Sequence, residues 1–382
     1  MGKGGEQPVR DQVAGKKGLK PFKLNHMPTE ELRKWAKAYG VDSEKNREEL
    51  LFLMNGFADG IMDKNRPSNP PIAPPPFTLK DLKDAIPKHC FERHLSTSLG
   101  YLAVDLLKAF LLGYAATYIS QASAYGLPQW ARFVLWPMYW WAQGCTLMGV
   151  WVLSHECGHQ SFSESEFANN LVGTIFHSAL FVPYHPWRIT HAKHHNNTGS
   201  CDNDEVFSPF TRSDWGQEML RETPLANFWG IFVMFTVGWI PGYLVMNITG
   251  PRKYRGKNAN HFSPTAVFFT KEEYWLVVQS VSMVYVALAC LGYAIFVFGF
   301  STVFAFYLVP YLIVNMFLVL LTFLQHTDVY MPHFRGAEWN WFRGAICTID
   351  RSYGFFWDRA THHITDTHVC HHLFSKMPFY HA

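Results

Sequence analysis

The chain has 382 residues, of which 48% are apolar, 16% aromatic and only 16% charged, and its formal net charge is +3. Soluble domains carry about 25% charged residues, so this composition argues against two or three soluble domains and favours a membrane protein. A net charge this small argues against a nucleic-acid-binding protein, and no nucleic-acid partner is predicted.

The N-terminal part of the chain is predicted to be a cytosolic extension over residues 1–65. Its start is rich in Gly and Lys and lacks the apolar core of a secretory signal. Apolar residues recur at helical spacing over residues 28–56, which predicts a small helical module. The proline-rich residues 66–76 predict a linker. Thr78 and Asp81 have the spacing of a capping box, which predicts a helix that begins after Thr78.

Four long apolar stretches predict four transmembrane helices in two hairpins, since a helix needs about 20 residues to cross a bilayer. They occupy residues 98–121, 133–153, 274–297 and 303–325. A fifth uncharged stretch, residues 226–250, is predicted not to span. Both of its flanks fall on one side of the membrane, and Gly238, Pro241 and Gly242 interrupt it.

The distribution of positive charge predicts the orientation. Lys and Arg are abundant in residues 1–97 and in the loop 251–271, whereas the connections 122–131 and 297–302 contain neither. The positive-inside rule places the first two regions in the cytosol and the two connections in the lumen.

Eight of the 19 histidines occur in three short clusters, which read HECGH, HAKHH and HVCHH and which this topology places on the cytosolic side. Neutral imidazole is the commonest metal ligand, and histidines at i, i+3 and i+4 project from one side of a helix. Two HxxHH patterns are not expected by chance at this composition. His326, at the end of the last predicted span, is a ninth candidate. The predicted metal ligands are His155, His159, His191, His194, His195, His326, His368, His371 and His372.

Two metal ions would use all nine histidines, and nitrogen-rich coordination with open positions suits iron and dioxygen chemistry. HECGH also matches the HExxH pattern of zinc proteases, with Glu156 as general base, but a catalytic zinc ion needs only three protein ligands. A membrane metal transporter would place histidines inside the spans, whereas these lie just outside them. A two-metal enzyme is therefore favoured, with a membrane zinc protease as a remote alternative.

Other polar residues near the clusters are assigned supporting roles, and no catalytic residue beyond the metal ligands is identified. Ligand histidines usually donate their second N–H to a carboxylate or a carbonyl. The acids close enough in sequence are Asp202, Asp204, Asp328 and Asp366. The remaining nearby histidines are predicted to pack or to support the ligands, and they are His177, His185, His333, His362 and His363. The seven cysteines form no CxxC pair, which predicts free thiols.

With this spacing between paired spans, the three clusters resemble those of the membrane fatty acyl desaturases. The likeness covers about residues 77–382 and extends to phrases that are similar to those of the Δ12 (oleate) and ω3 desaturases of the endoplasmic reticulum. The first cluster and the phrase NTG…DEVF favour the Δ12 branch. The similar phrases read FTLKDLKDAIPKHCFERH, HHNNTGSCDNDEVF, FLVLLTFLQHTD, RGAICTIDRSYG and HHITDTHVCHHLFSKMPFYHA.

The resemblance implies an all-α integral membrane protein, with four transmembrane helices in two hairpins and a cytosolic helical cap that holds two iron ions. It implies an oxidoreductase that reduces O₂ to water and forms a cis double bond in a phospholipid-linked acyl chain, converting oleoyl to linoleoyl lipid. Electrons would come from cytochrome b5 and NADH-cytochrome b5 reductase. Because the chain has no HPGG haem motif, the donor is expected to be a separate protein.

The resemblance also implies a multi-pass protein of the endoplasmic reticulum membrane, with its N-terminus and histidine clusters in the cytosol. Two alternatives for the activity stay open, namely an ω3 (Δ15) desaturase and a hydroxylase, epoxygenase or acetylenase of the same family. The protein could also form a homo- or hetero-oligomer. The desaturase domain over residues 77–382 is expected to be shorter at its C-terminal end than is usual in the family. The module at residues 28–56 is not part of the usual family pattern.

Overall fold

The computed structural model of the protein describes residues 27–38, 41–58, 75–209, 223–328 and 331–382. All helical and extended elements in these ranges are helices, apart from one isolated bridge between Ser200 and Phe334. This confirms the all-α fold. Most of the predicted linker at residues 66–76, and the Gly- and Lys-rich start of the chain, lie outside the described residues.

The chain divides into two compact units, of which the first comprises residues 1–74 and 328–332 and the second residues 75–327 and 333–382. In the first unit, helix α1 (Thr29–Ala38) and helix α2 (Arg47–Ala58) form the pair of short helices expected within residues 28–56. Their shared core consists of Leu32, Ala36, Val41, Leu50, Leu53 and Met54.

The second unit begins with helix α3 (Leu79–Ala85), which has the predicted capping box. The Thr78 hydroxyl accepts a hydrogen bond from the backbone N–H of Asp81, and the Thr78 N–H donates to the Asp81 carboxylate over 2.8 Å. The longer helices that follow are α4 (Leu95–Ala116), α5 (Arg132–His159), α6 (Glu166–Ala179), α7 (Tyr184–Asn197), α8 (Pro224–Val245), α9 (Tyr274–Phe298) and α10 (Phe300–His326). Three short helices lie near the C-terminal end, namely α11 (Trp341–Ala345), α12 (Phe355–Ala360) and α13 (His368–Leu373).

Four of these helices, α4, α8, α9 and α10, are long and apolar enough to cross a membrane. The predicted number of four is therefore confirmed, but the set differs from the prediction, because α8 meets the criterion and α5 does not. The regular α-helix ends at Val237, next to the Gly238 that was predicted to interrupt it, and the expectation that residues 226–250 do not span stays a prediction. The segment Gly238–Val245 continues α8 as a π-helix with Pro241 inside it, a geometry that absorbs residues which would break a regular helix.

Helix α5 is the central helix of the second unit and packs against α4, α6 and α10. Its second half is buried, and its sequence mixes Trp, Tyr, Gln and His with apolar residues. Gly144 lets α10 come close, since a Cβ at this position would lie 2.5 Å from Cγ2 of Ile313. The surrounding core includes Met148, Trp151, Val152, Trp187, Leu318 and Leu321. The low apolarity of α5 thus goes with burial inside the protein, and its crossing of the membrane stays a prediction.

Candidate metal centre

The nine predicted ligand histidines lie on four helices that meet at one place. His155 and His159 are at the C-terminal end of α5, and His326 is the last residue of α10. Helix α7 carries the second cluster, HAKHH, and α13 carries the third, HVCHH. Helix α5 ends directly after His159, because Gln160 adopts the left-handed conformation with φ at 61°.

Five of the histidines form one group, here called the five-histidine group. Each offers one ring nitrogen, and these nitrogens lie within 4.8 Å of one another. Nε2 of His191 is 3.0 Å from Nε2 of His155 and 3.2 Å from Nε2 of His195. The members are His155, His159, His191, His195 and His371.

The other four histidines form the four-histidine group. Ligand nitrogens of His194, His326 and His372 lie within 4.8 Å of one another. Nε2 of His326 is 3.4 Å from Nε2 of His194 and 2.9 Å from Nε2 of His368, so His368 belongs to the same group. Every histidine that the sequence predicts as a metal ligand is therefore in one of the two groups.

The two groups are neighbours and share helices. On α7, His194 belongs to the four-histidine group and His195 to the five-histidine group. On α13, His372 and His371 are divided in the same way. The rings of His195 and His372 stack with centroids 4.0 Å apart and planes 8° apart. This arrangement offers two adjacent metal positions rather than one.

A histidine binds a metal through its neutral imidazole, and burial favours that form at His191, His195, His371 and His372. Burial lowers the pKa of His191 and of His195 well below the usual value of 6.5, and the neighbouring imidazoles lower it further. The same two causes lower the pKa of His372, and they lower the pKa of His371 to about 3. Protons therefore do not compete for these nitrogens near neutral pH.

The nitrogens are arranged as in a coordination shell. A metal–nitrogen distance of about 2.1 Å places adjacent ligand nitrogens roughly 3.0 to 3.4 Å apart in octahedral or tetrahedral geometry, which matches the Nε2 separations in both groups. Within the described residues, the buried Nε2 atoms of His159, His371 and His372 have no hydrogen-bond partner. A buried nitrogen without a partner is costly, and a metal ion would use these lone pairs. The residues present therefore fit metal binding.

Asp204 and Thr198 hold the outer nitrogens of the four-histidine group. The buried Asp204 carboxylate lies 2.7 Å from Nδ1 of His194 and accepts backbone N–H groups from Val206 and Phe207. Burial raises the pKa of Asp204, but His194 and these N–H groups outweigh burial and the pKa falls below its ordinary value. Nδ1 of His372 lies 3.1 Å from the Thr198 hydroxyl. Both contacts leave the Nε2 lone pairs free to face a metal.

Glu156 plays a corresponding part in the five-histidine group. Its Oε1 is 3.1 Å from Nδ1 of His155 and 3.8 Å from Nδ1 of His371, and its Oε2 accepts a hydrogen bond from Ser161 over 2.6 Å. The sequence analysis considered Glu156 only as the base of a zinc protease. In the structure its carboxylate faces the outer nitrogens of two histidines, and five imidazoles converge where such a protease needs three ligands.

The other acids and histidines singled out in the sequence lie outside both groups. Asp204 contacts the predicted ligand His194 over 2.7 Å, whereas Asp202 pairs with Arg335 over 3.2 Å and Asp366 with His363 over 3.1 Å. His362 contacts Asp105 over 2.5 Å. The described part of the chain contains seven cysteines that are all free, as predicted.

Comparison with known proteins decides the family. The sequence model of the family described as fatty acid desaturase matches residues 128–382, which is more than half of the chain and includes all nine histidines. The chain belongs to the fatty acid desaturase family. As a desaturase it is an oxidoreductase. A second family model, described as a domain of unknown function (DUF3474), matches residues 15–116 and so runs across residues 66–76.

Individual relatives of this desaturase are similar over most of their length. The Delta(12) fatty acid desaturase of Mortierella alpina is 45% identical over 81% of this chain and 80% of its own. The endoplasmic reticulum isozyme 1 of the omega-6 fatty acid desaturase from Glycine max is 44% identical over 84% and 81%. The Delta(12)-fatty-acid desaturase of Arabidopsis thaliana is 44% identical over 82% and 80%.

Proposed function

We propose that this desaturase is a Δ12 acyl-lipid desaturase, which converts oleoyl to linoleoyl groups in phospholipid. The printed names of the relatives from Mortierella alpina and Arabidopsis thaliana support the Δ12 position. The observation that carries the chemistry is the convergence of nine imidazoles into two adjacent groups. No feature of the described residues favours the ω3, hydroxylase, epoxygenase or acetylenase alternatives over this one.

The nine histidines are proposed to hold two iron ions, one in each group. Bound there, iron would supply the activation of O₂ and the cleavage of two C–H bonds on adjacent methylenes. The ligands would be His155, His159, His191, His195 and His371 for one ion and His194, His326, His368 and His372 for the other.

The protein's own residues orient the ligands and keep water out. Glu156, Asp204 and Thr198 fix ring orientation through the Nδ1 atoms, so that each ring keeps its Nε2 lone pair for the metal. Trp187 stacks on the His191 ring with centroids 4.4 Å apart and closes one wall of the five-histidine group. A buried, preorganised site of this kind limits side reactions with water.

The location and the electron donor are proposed as follows. The enzyme lies in the endoplasmic reticulum membrane with its N-terminus and histidine clusters in the cytosol, which the name of the Glycine max relative and the charge of the loops support. Its electrons come from cytochrome b5 and NADH-cytochrome b5 reductase. Residues 77–382 form the desaturase domain, and residues 1–65 are a cytosolic extension joined to it by residues 66–76.

The test is expression of the full chain in a yeast that makes oleate but no linoleate, followed by gas chromatography of total lipids. We expect linoleate from the wild type and from His363→Ala, a histidine outside both groups, and none from His372→Ala. A hydroxylated, epoxidised, triple-bonded or ω3 product would replace the proposed reaction with one of the alternatives. No new product from a well-expressed protein would refute it.

A further inference from the structure

A buried aspartate, Asp105, lies inside the candidate membrane helix α4 and contacts the buried His362. Asp105 is 3% exposed, its Oδ1 accepts a hydrogen bond from Nζ of Lys108 over 3.0 Å, and its Oδ2 is 2.5 Å from Nε2 of His362. Asp105 and Lys108 are the only charged residues of α4. Ionisable groups inside a membrane segment are costly, and such groups serve function more often than packing.

The backbone around Asp105 and His362 is shaped to hold the two side chains together. His362 and His363 adopt left-handed conformations with φ at 50° and 61°, which are uncommon for residues other than Gly, although Asn, Asp and His adopt them more often than the rest. On the facing helix α5, Gly149 leaves room for the pair. A Cβ at Gly149 would lie 2.9 Å from Oδ2 of Asp105 and 3.3 Å from Nε2 of His362. Strained backbone and a close approach at the same point are typical of functional sites.

The pair reaches the metal centre through a pocket. His362 lines the same pocket as Glu156 and His371. Glu156 contacts Nδ1 of His155, and His371 is a member of the five-histidine group. The pocket therefore joins His362, which Asp105 holds, to the outer side of that group. The titratable groups around His362 are Tyr101, Asp105 and Lys108 on α4, Glu156 on α5, and Cys370 and His371 on α13.

Desaturation needs protons at this buried place. The reaction takes two hydrogens from adjacent methylenes, O₂, two electrons and two protons, and gives one C=C bond and two waters. The methylene hydrogens and the electrons reduce O₂, and a one-electron donor protein brings no protons with the electrons. Two protons per turnover must therefore cross the buried shell around the histidines.

We propose that His362 and Asp105 form the proton relay of the metal centre, an inference that rests on the proposed desaturase reaction. Asp105 accepts the Nε2–H of His362 and so holds the ring in one orientation. The ring gives its Nδ1 proton to the pocket beside Glu156, and a proton from bulk solvent replaces it on the ring, so that each cycle transfers one proton from solvent to the site and a turnover needs two cycles. Asp105 is the positioning residue and His362 is the group that moves the proton.

The test compares His362→Asn with the matched control His363→Asn in the full-length, iron-loaded enzyme with its electron donors. Asn tolerates the left-handed conformation at both positions, so backbone strain is equal in the two variants. A positioned proton donor contributes about 10²-fold or more, and we expect kcat of His362→Asn to fall at least about tenfold with KM unchanged. Iron content and Tm should equal those of His363→Asn, which keeps the wild-type kcat.

A second variant and a readout without turnover complete the test. Asp105→Asn should lower kcat, and the double variant with His362→Asn should be no slower than the slower single variant. In the metal-free, ¹⁵N-histidine-labelled protein, the short Nε2–H bond should give a far-downfield NMR proton signal that Asp105→Asn removes and His363→Asn keeps.

Two results would overturn the relay. One is a His362→Asn enzyme with wild-type kcat, and the other is a loss of kcat that matches a loss of iron or of Tm, which would assign the pair to structure. Failure of the proposed function is a separate outcome, because it shows in the product of the wild type, whereas the relay shows in the ratio of the two asparagine variants.

Discussion

Asp204 offers a direct test of how the four-histidine group is held. The buried carboxylate accepts from Nδ1 of His194 over 2.7 Å and from the backbone N–H of Gly199, Val206 and Phe207 over 2.9 to 3.2 Å. In Asp204→Asn, one of the two oxygens becomes an NH₂ group that faces N–H donors. Leaving a buried donor unpaired costs about 1–3 kcal/mol of folding stability.

The larger effect of Asp204→Asn is expected on metal binding. Losing the partner of a ligand histidine lowers metal affinity about 10–100-fold, which corresponds to about 1.4–2.7 kcal/mol. Asp204 contacts His194 of the four-histidine group and, among the described contacts, no member of the five-histidine group. The iron of the four-histidine group should therefore leave at a 10–100-fold lower chelator concentration, while the iron of the five-histidine group stays. The assay is chelator titration of the purified protein with elemental analysis of the retained iron.

The matched control is Asp202→Asn, two residues away. Asp202 is about half exposed and pairs with Arg335, so this variant should keep both irons with wild-type affinity. The reasoning is refuted if the Asp204→Asn protein, shown to be folded by a measured Tm, retains both irons as tightly as Asp202→Asn does. It is refuted equally if both irons leave the folded protein together.

Three further predictions concern other parts of the structure. Gly144→Ala places a Cβ 2.5 Å from Ile313 and should cost about 1–3 kcal/mol, seen as a lower Tm; Gly113→Ala, with no described heavy atom within 4 Å, should not lower Tm. Burial lowers the pKa of His261 to about 4. The unfolded chain therefore binds a proton that the folded chain does not, and the metal-free protein should lose about 1.4 kcal/mol per pH unit from this residue as pH falls from 6.5 towards 4; a Tm that stays constant over this range would contradict it. Glu156→Gln should weaken iron in the five-histidine group first, the reverse of Asp204→Asn in the same chelator titration.

The histidine clusters could be predicted because their information is local. Spacings of three and four residues define one helix face whatever the tertiary fold, and His326 was found because it ends an apolar stretch. In α8 the glycine and proline residues mark a change from α-helix to π-helix, and the sequence alone does not distinguish such a change from the end of a helix. Helix α5 was predicted to span from its lack of charge, and the sequence did not indicate that Tyr139, Gln143 and Trp151 would be buried inside the protein.

The supporting contacts were largely outside the reach of sequence reasoning. Asp105 and His362 are 257 positions apart and no motif links them. Glu156 follows His155 directly in the sequence, and consecutive residues on a helix normally face different sides. The contact between Glu156 Oε1 and Nδ1 of His155 therefore depends on the conformations of the two side chains, which the sequence does not give. Asp204 was a candidate among four acids, and only tertiary packing distinguishes it from Asp202.

The division of consecutive histidines between the two groups has a consequence for the spacing of the irons. His194 and His195 are joined by one peptide bond, as are His371 and His372, and each pair sends one ring to each group. The separation of the two ions would then depend on the covalent geometry of a single helical turn in each of two helices, α7 and α13. The long helices α5 and α10 each carry ligands of one group only, so it is α7 and α13, which carry ligands of both groups, that would hold the gap between the ions when the long helices shift in a thinner or thicker bilayer.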